Sequence, residues 1–354
     1  MQKVIGTRAF LKKEGFEFSL KSHQLDQKFR RMLSTESEEA LDELELIPVG
    51  VDRSSKLYAI PQNLRQAHML LSHDVARVVG SFDWLASVAD GSPGPILDLG
   101  TGTGALPRLI NSRHPSIQIL GLDCAPNLVS IAKSATGSPN VSFAEMNYSE
   151  LPSLDQKFDL ILSACGFHTQ VLDHVRGDDT AEPQCLPASF TISSSLMSRW
   201  DEHFGSILAT LRTLSQDGAR LAMVERITGF AMFVSFVAVA AQKGWRFDLS
   251  QSRRLRLNDE VMPGMFLYAS EPHELSFDLH TYSRFWSGEN YKQFPVKDEQ
   301  AILAYLELEP WSKGVDKETF PNGTMFTESG QFADGRNYSY RYATTGFREL
   351  AILG

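Results

Sequence analysis

The run Pro95-Ile96-Leu97-Asp98-Leu99-Gly100-Thr101-Gly102-Thr103-Gly104 restricts the folds open to this chain more than any other stretch. A short apolar strand ends in an acid and then breaks into alternating glycines ahead of a helix-forming segment. Glycine reaches backbone conformations closed to other residues and lets a ligand approach where a Cβ would otherwise stand. The first turn of the following helix presents N–H groups that have no intrahelical partner. A strand–turn–helix of this kind opens an α/β sheet whose ligands gather at the carboxyl ends of the strands.

Gly100, Gly102 and Ala105 also fit G-x-G-x-x-A, the looser dinucleotide pattern, which keeps a nicotinamide-dependent oxidoreductase in view. Ile117-Gln118-Ile119-Leu120-Gly121-Leu122-Asp123 reads as a second buried strand ending in an acid. Its spacing from the glycines, roughly twenty residues, is that of a carboxylate taking ribose hydroxyls, and both readings require it. Val141-Ser142-Phe143-Ala144-Glu145-Met146-Asn147 gives a third strand, and Phe158-Asp159-Leu160-Ile161-Leu162-Ser163-Ala164 a fourth.

Taken together, Asp98-x-Gly-x-Gly-x-Gly, Gly-Leu-Asp123 and the third and fourth strands resemble the class I S-adenosylmethionine-dependent methyltransferases over about residues 93–270. The resemblance implies a doubly wound, seven-stranded Rossmann-like α/β sheet that closes with an antiparallel pair. It implies that Asp98, Gly100, Thr101, Gly102 and Gly104 cradle the methionine part of S-adenosyl-L-methionine and that Asp123 holds the ribose. Met146 and Asn147 would flank the adenine, with Cys124 and Ala164 as further cofactor contacts. The family often has Asp where this chain has Asn147, but an amide can still accept from the adenine amino group and donate to a ring nitrogen.

With 354 residues the chain exceeds one compact α/β domain, which predicts a core plus additional substructure. The 43 acidic side chains outnumber the 34 basic ones for a net charge of −9, which argues against nucleic acid as a partner. Arg253, Arg254 and Arg256 form the densest basic cluster, read as solvated strand-edge residues. The cysteines, Cys124, Cys165 and Cys185, lack zinc spacing and cannot all pair. With no signal peptide before Lys3, a reducing cytoplasm is the expected setting and no metal is expected. The most apolar stretch, Phe230 to Ala241, falls short of the ~20 residues that span a bilayer and is expected to be a buried helix.

Three regions follow. Residues 1–92 are read as an N-terminal cap, with a hairpin of Val4–Phe10 and Phe16–Leu20 around Lys12-Lys13-Glu14-Gly15. An acidic helix near Ser37–Leu44 and a helical stretch from about Pro61 to Ala89 complete it. Residues 93–270 are the core, with an irregular insertion at 169–195 and later elements at Leu196–Leu214 (helix), Ala219–Glu225 (strand), Phe230–Gly244 (helix), Phe247–Leu257 and Met265–Ala269 (strands). Residues 271–354, with Phe285-Trp286, Trp311 and the strand-like Asn337–Tyr342, are expected to join the N-terminal flank as one cap.

An activated methyl donor leaves the protein chiefly the task of aligning a nucleophile. His168, just past the fourth strand, is the candidate general base, weighed against a locally bonded loop histidine; His174 and Glu225 stand behind it. Phe167, Trp200 and Trp286 are candidates for an apolar acceptor pocket, with core packing as the alternative fate. The expected activity is methyl transfer to a small molecule. Protein or RNA methylation, NAD(P)-dependent oxidoreduction and a catalytically idle cofactor-binding partner remain as alternatives, and the oligomeric state is left open.

Overall fold

The computed structural model describes residues 5–36, 38–46, 53–167, 189–191, 198–227, 230–257, 260–274, 282, 285, 325–331, 337–343 and 348–353. The N-terminal region is helical: α1 (Thr7–Lys13), α2 (Ser22–Glu36), α3 (Glu38–Leu46), α4 (Arg53–Ala59), α5 (Leu64–Leu71) and α6 (Val75–Ala89). The acidic helix and the stretch from 61 to 89 are therefore present, the latter divided at a 3₁₀ turn, Ser72–Asp74. Asn63 starts α5 by accepting a hydrogen bond from the Gln66 amide at 3.0 Å.

The expected hairpin at residues 4–20 does not form. Thr7–Lys13 is a helix that buries Thr7, Phe10 and Leu11 on one side and ends on the favourable charges of Lys12 and Lys13. The chain then reverses at Gly15, and the Phe16 amide bonds back to the Leu11 carbonyl at 3.0 Å. Phe10, Leu11 and Phe16 thereby join one apolar cluster with Val78, Leu85 and Leu109. Burial against α6 overrides the short strand-like alternation, since strand preference records packing context more than backbone preference.

The core is an eight-stranded mixed sheet. Five parallel strands lie in the order β3 (Val141–Glu145), β2 (Ile119–Asp123), β1 (Ile96–Leu99), β4 (Phe158–Ala164) and β6 (Ser215–Val224). Antiparallel β9 (Glu260–Ala269) follows, with β7 (Trp245–Phe247) at the edge and β8 (Arg253–Leu257) also on β9. Among the described residues the path from β3 to β7 has the expected seven strands, and β8 adds an eighth on β9. The stretch 247–257 is two strands because Asp248 accepts both the amide and the hydroxyl of Ser250, a local turn that interrupts the ladder. Arg253 and Arg254 are exposed on β8, as strand-edge residues.

Helices cover both faces. Leu97, Leu99, Ile161, Leu221 and Met223 face α9 (Ser206–Thr213) and α10 (Phe230–Gln242), while Ile96, Leu160, Leu162, Ala222 and Val224 face the cluster containing α6 and α7 (Ala105–Arg113). Alternate residues of each strand serve opposite layers, which is why these strands read as continuous apolar runs. Helix α8 (Pro126–Ala135) packs on β2 and β3. A separate sheet joins β10 (Met325–Gln331), β11 (Asn337–Ala343) and β12 (Arg348–Leu353) in antiparallel order, and β5 (Ser189–Thr191) runs parallel to β12. The C-terminal strands therefore pair with a strand from the segment read as an irregular insertion. No helix among the described residues is long and apolar enough to cross a membrane.

Docking of α1 is measurable. Leu11 is fully buried, so Leu11→Ala is expected to lower the unfolding free energy by about 2–5 kcal/mol in urea titration. A loss below about 0.5 kcal/mol would place α1 outside the cooperative core.

Candidate active site

The end of β1 is built from close backbone contacts. Gly100 has φ +68°, and a Cβ there would stand 2.4 Å from the Gly166 Cα, so a side chain is excluded by both conformation and space. Gly102, at φ +54°, has nothing within 4 Å of where its Cβ would be, and it opens towards solvent-accessible space. Its amide donates to Asp123 Oδ2 at 2.7 Å, while Asp123 Oδ1 accepts the Ala125 amide at 2.9 Å. One carboxylate thus ties the glycine turn after β1 to the start of α8. The Thr101 amide closes on the Leu122 carbonyl at 2.9 Å.

These groups border a cavity of about 330 Å³ at the carboxyl ends of the parallel strands. Of the residues expected to hold a cofactor, Asp98, Gly100, Thr101, Gly102, Asp123, Cys124, Met146 and Ala164 line it. Gly104 and Asn147 are not in its wall. Gly104 begins α7 and packs against the Phe143 ring. Asn147 starts the turn Tyr148–Ser153, its amide donating to Glu150 at 2.7 Å, which gives it a local structural task. His168, His174 and Trp286 lie outside the described residues.

Phe167 and Trp200 belong to the core. Phe167 packs edge-on to Phe204 with ring centroids 4.6 Å apart, and Trp200 packs on Phe236 at 5.4 Å. Both are about 1% exposed, and neither lines the cavity. Glu225 is equally buried and sits behind the wall, accepting the Ser163 hydroxyl at 2.8 Å and the Phe167 amide at 3.4 Å. Its carboxyl is pushed up to about 7 by burial, with the Ser163 and Phe167 bonds working against that rise.

Asp98, 2% exposed, is likewise raised to about 7 by burial, offset by the neighbouring Thr101 hydroxyl. In the free protein near neutral pH it is therefore divided between acid and carboxylate. A ligand cation placed beside it would favour the ionised form and release a proton on binding.

The N-terminal helices supply much of the remaining cavity wall, through Tyr58, Leu71, Arg77, Phe82 and their neighbours. Behind the glycine turn, Arg108 joins this region to the sheet. Its Nη2 donates to Glu14 Oε2 and its Nη1 to the Thr103 carbonyl, each at 2.6 Å. His68 Nδ1 lies 2.7 Å from the Glu14 carbonyl and Nε2 lies 3.1 Å from Thr103 Oγ1. A carbonyl only accepts, so Nδ1 carries the proton, and the neutral ring accepts the Thr103 hydroxyl at Nε2. Burial lowers His68 to about 4, opposed by the Glu14 carbonyl.

Sequence inspection missed His68, Arg77, Tyr58 and Arg226. They come from helices and a loop remote from the glycine run, and no spacing in the chain links them to it. Among the described residues no cluster could hold a metal ion.

Residues 96–178 match the model of the methyltransferase domain family. The chain carries a class I methyltransferase domain. It is 39% identical over 72 residues to a malonyl-[acyl-carrier protein] O-methyltransferase of Acetivibrio thermocellus, a match covering 20% of this chain and 25% of that protein. It is 38% identical over 93 residues to a release factor glutamine methyltransferase of Aliivibrio fischeri, covering 25% and 33%. With a demethylmenaquinone methyltransferase of Thermus thermophilus it shares 38% over 78 residues, covering 22% and 36%. The chain therefore spans only a quarter to about a third of the length of these curated relatives.

The cofactor of this methyltransferase family is S-adenosylmethionine, and the residues present fit it. Asp98 offers a carboxylate to an ammonium group, Asp123 has acceptor capacity for a ribose diol, and the open side of Gly102 admits close backbone approach.

Two pH effects follow from these groups. His68 is lowered from its ordinary 6.5, so its stabilising contribution is complete above pH 6.5 and is lost as pH falls towards 4. Asp98 and Glu225, being raised, act in the opposite sense over pH 4–7, with stability greatest at the acid end. The His68 part is isolated by subtracting the pH profile of His68→Asn. Wild type is expected to lose of the order of 3 kcal/mol more than the variant between pH 7 and 4, and parallel profiles would show that His68 does not titrate in this way.

The second effect concerns affinity. S-adenosylhomocysteine binding, followed by calorimetry, is expected to weaken about tenfold per pH unit below 7 and to release a proton. Asp98→Asn should flatten that dependence, and an unchanged slope in the variant would assign the proton to another group.

Proposed function

We propose that this protein transfers a methyl group from S-adenosylmethionine to a small-molecule acceptor held in the cavity of about 330 Å³. The observation that carries the reading is the make-up of that one cavity. Asp98, Gly102, Asp123 and Met146 of the methyltransferase domain share it with Tyr58, Leu71 and Phe82 of the N-terminal helices. Cofactor-holding groups and an apolar wall suited to a small ligand therefore meet in one space.

When bound, S-adenosylmethionine supplies an activated methyl group to a nucleophile aligned with its methyl–sulfur bond. Asp98 would hold the ammonium of the methionine part, Asp123 the ribose hydroxyls, and Met146 would pack on the adenine. The N-terminal helices would exclude water and fix the orientation of the acceptor. His168, which follows the turn at Cys165–Phe167, is proposed as the group that takes a proton from an oxygen acceptor. The names of relatives acting on demethylmenaquinone and on a malonyl group support a small acceptor, whereas the release factor relative keeps protein methylation as the competing reading.

The test is label transfer. With methyl-labelled cofactor and a fractionated cell extract, label is expected in the low-mass fraction, and label confined to protein or RNA would overturn the acceptor class. Once that acceptor is isolated, His168→Ala should retain S-adenosylhomocysteine affinity while turnover falls by roughly 10²–10⁴-fold. Full turnover in the variant would remove the base role and leave alignment alone.

A further inference from the structure

Ser81 sits in the middle of the face that α6 turns to the cavity. Asp74, Arg77, Val78, Ser81 and Phe82 all line that space, and their spacing by three and four residues selects one side of a helix. Ser81 is 1% exposed, and its Oγ has no hydrogen-bond partner. A buried helical serine ordinarily returns its hydroxyl to a carbonyl three or four residues back. Ser87 on the same helix does so, donating to the Trp84 carbonyl at 2.6 Å, and Ser134 on α8 donates to the Ser130 carbonyl at 2.9 Å. Ser81 instead keeps its donor unspent on the cavity wall, an unfavourable state until a partner meets it.

The charged groups on this side of the wall answer one another. Arg77 Nε and Arg226 Nη2 each donate to Asp74 Oδ2, the latter at 2.6 Å. Arg77 also interacts with Cys165 and Glu225, and Arg226 makes a further interaction. Leu71, Val78 and Phe82 stand beside them as an apolar bed. Tyr58 reaches the same wall from α4, and burial raises its phenol, which is therefore uncharged near neutral pH. What this face presents to a ligand is an apolar surface with a neutral hydroxyl set into it. A ligand oxygen placed at Ser81 satisfies that donor, whereas a hydrocarbon leaves it unpaired.

We propose that Ser81 is a specificity-determining residue of the acceptor site, its hydroxyl donating to a carbonyl or hydroxyl oxygen of a small, mainly apolar and uncharged acceptor. The proposal rests on the methyl-transfer reading above for the assignment of this side of the cavity to the acceptor. Ser81 comes from the middle of α6, a helix packed on β4 and β6, so an oxygen held there is fixed relative to the strand ends that border the cavity. Alignment of a nucleophile with the methyl–sulfur bond depends on such fixing.

The experiment is a ligand-observed NMR titration of the full chain saturated with S-adenosylhomocysteine. The probes are acetophenone beside cumene, p-cresol beside p-xylene, and 1-indanone beside indane. Ser81→Ala is expected to weaken at least one oxygenated probe by about fivefold or more while its hydrocarbon stays within about twofold. The same variant should keep S-adenosylhomocysteine affinity and unfold in urea at no lower concentration than wild type, because an apolar residue replaces a hydroxyl that has no partner in the free protein. Benzoate, an anion close in size to acetophenone, is expected to bind wild type at least about fivefold more weakly than acetophenone. Absence of binding by every oxygenated probe, a variant that affects probe and hydrocarbon alike, benzoate bound as tightly as acetophenone, or a clear loss of stability in Ser81→Ala would overturn the proposal. Should S-adenosylhomocysteine itself fail to bind, the methyl-transfer reading falls, and the same titration on the unliganded chain still decides whether Ser81 meets a ligand oxygen.

Discussion

The approach of Gly100 to Gly166 is the contact on which the site depends. A Cβ on Gly100 would meet the Gly166 Cα at 2.4 Å, and one on Gly166 would meet the Leu99 carbonyl at 2.5 Å. The turns leaving β1 and β4 can therefore touch through backbone alone. Their contact brings the glycine run, the Cys165 turn and the buried Glu225 into one compact wall, with Tyr148 fastened to it by a 2.8 Å bond to the Gly166 carbonyl. Cys165 carries the strain of that turn, at φ +59°, the one non-glycine residue of positive φ among those described.

Around this contact the electrostatics are arranged by burial. Asp98 and Glu225 are both raised to about 7, yet their surroundings differ. Asp98 borders the cavity and can meet a ligand cation there, whereas Glu225 is enclosed and serves the Ser163 hydroxyl and the 166–167 backbone. Position relative to the cavity, more than proton affinity, separates a binding group from a scaffold group. Cys165 follows the same logic: burial lifts its thiol to about 11, and the adjacent Arg77 restrains that rise without making it a thiolate near neutral pH.

The N-terminal helices belong to the site as much as the sheet does. Arg108, Glu14 and His68 connect α1, α5 and α7 to Thr103 inside the glycine run. The same helices bring Tyr58, Arg77 and Phe82 into the cavity wall. The segment after α1 thus fixes the back of the glycine turn, and α4 to α6 shape the space in front of it. A domain with the same sheet and a different N-terminal region would present another cavity wall in front of an unchanged glycine turn.

The primary sequence by itself determined the parallel half of the sheet and the strand-end residues Asp98, Gly100, Gly102 and Asp123 that border the cavity. Continuous apolar runs punctuated by Asp98, the glycines and Asp123 specify strand ends through local rules of periodicity and backbone freedom. The same locality misled at residues 4–20, where a short alternating pattern is compatible with either element and burial of Phe10 and Leu11 against α6 chose the helix. Asn147 is an adenine contact only by family resemblance, and the folded chain adds what the sequence did not show, that its backbone amide starts the turn with Glu150. Tertiary structure alone decided that Arg77 and Arg226, 149 positions apart in sequence, share one oxygen of Asp74. Such a pairing depends on where α6 docks across the ends of the strands, a long-range packing outcome that no local spacing encodes.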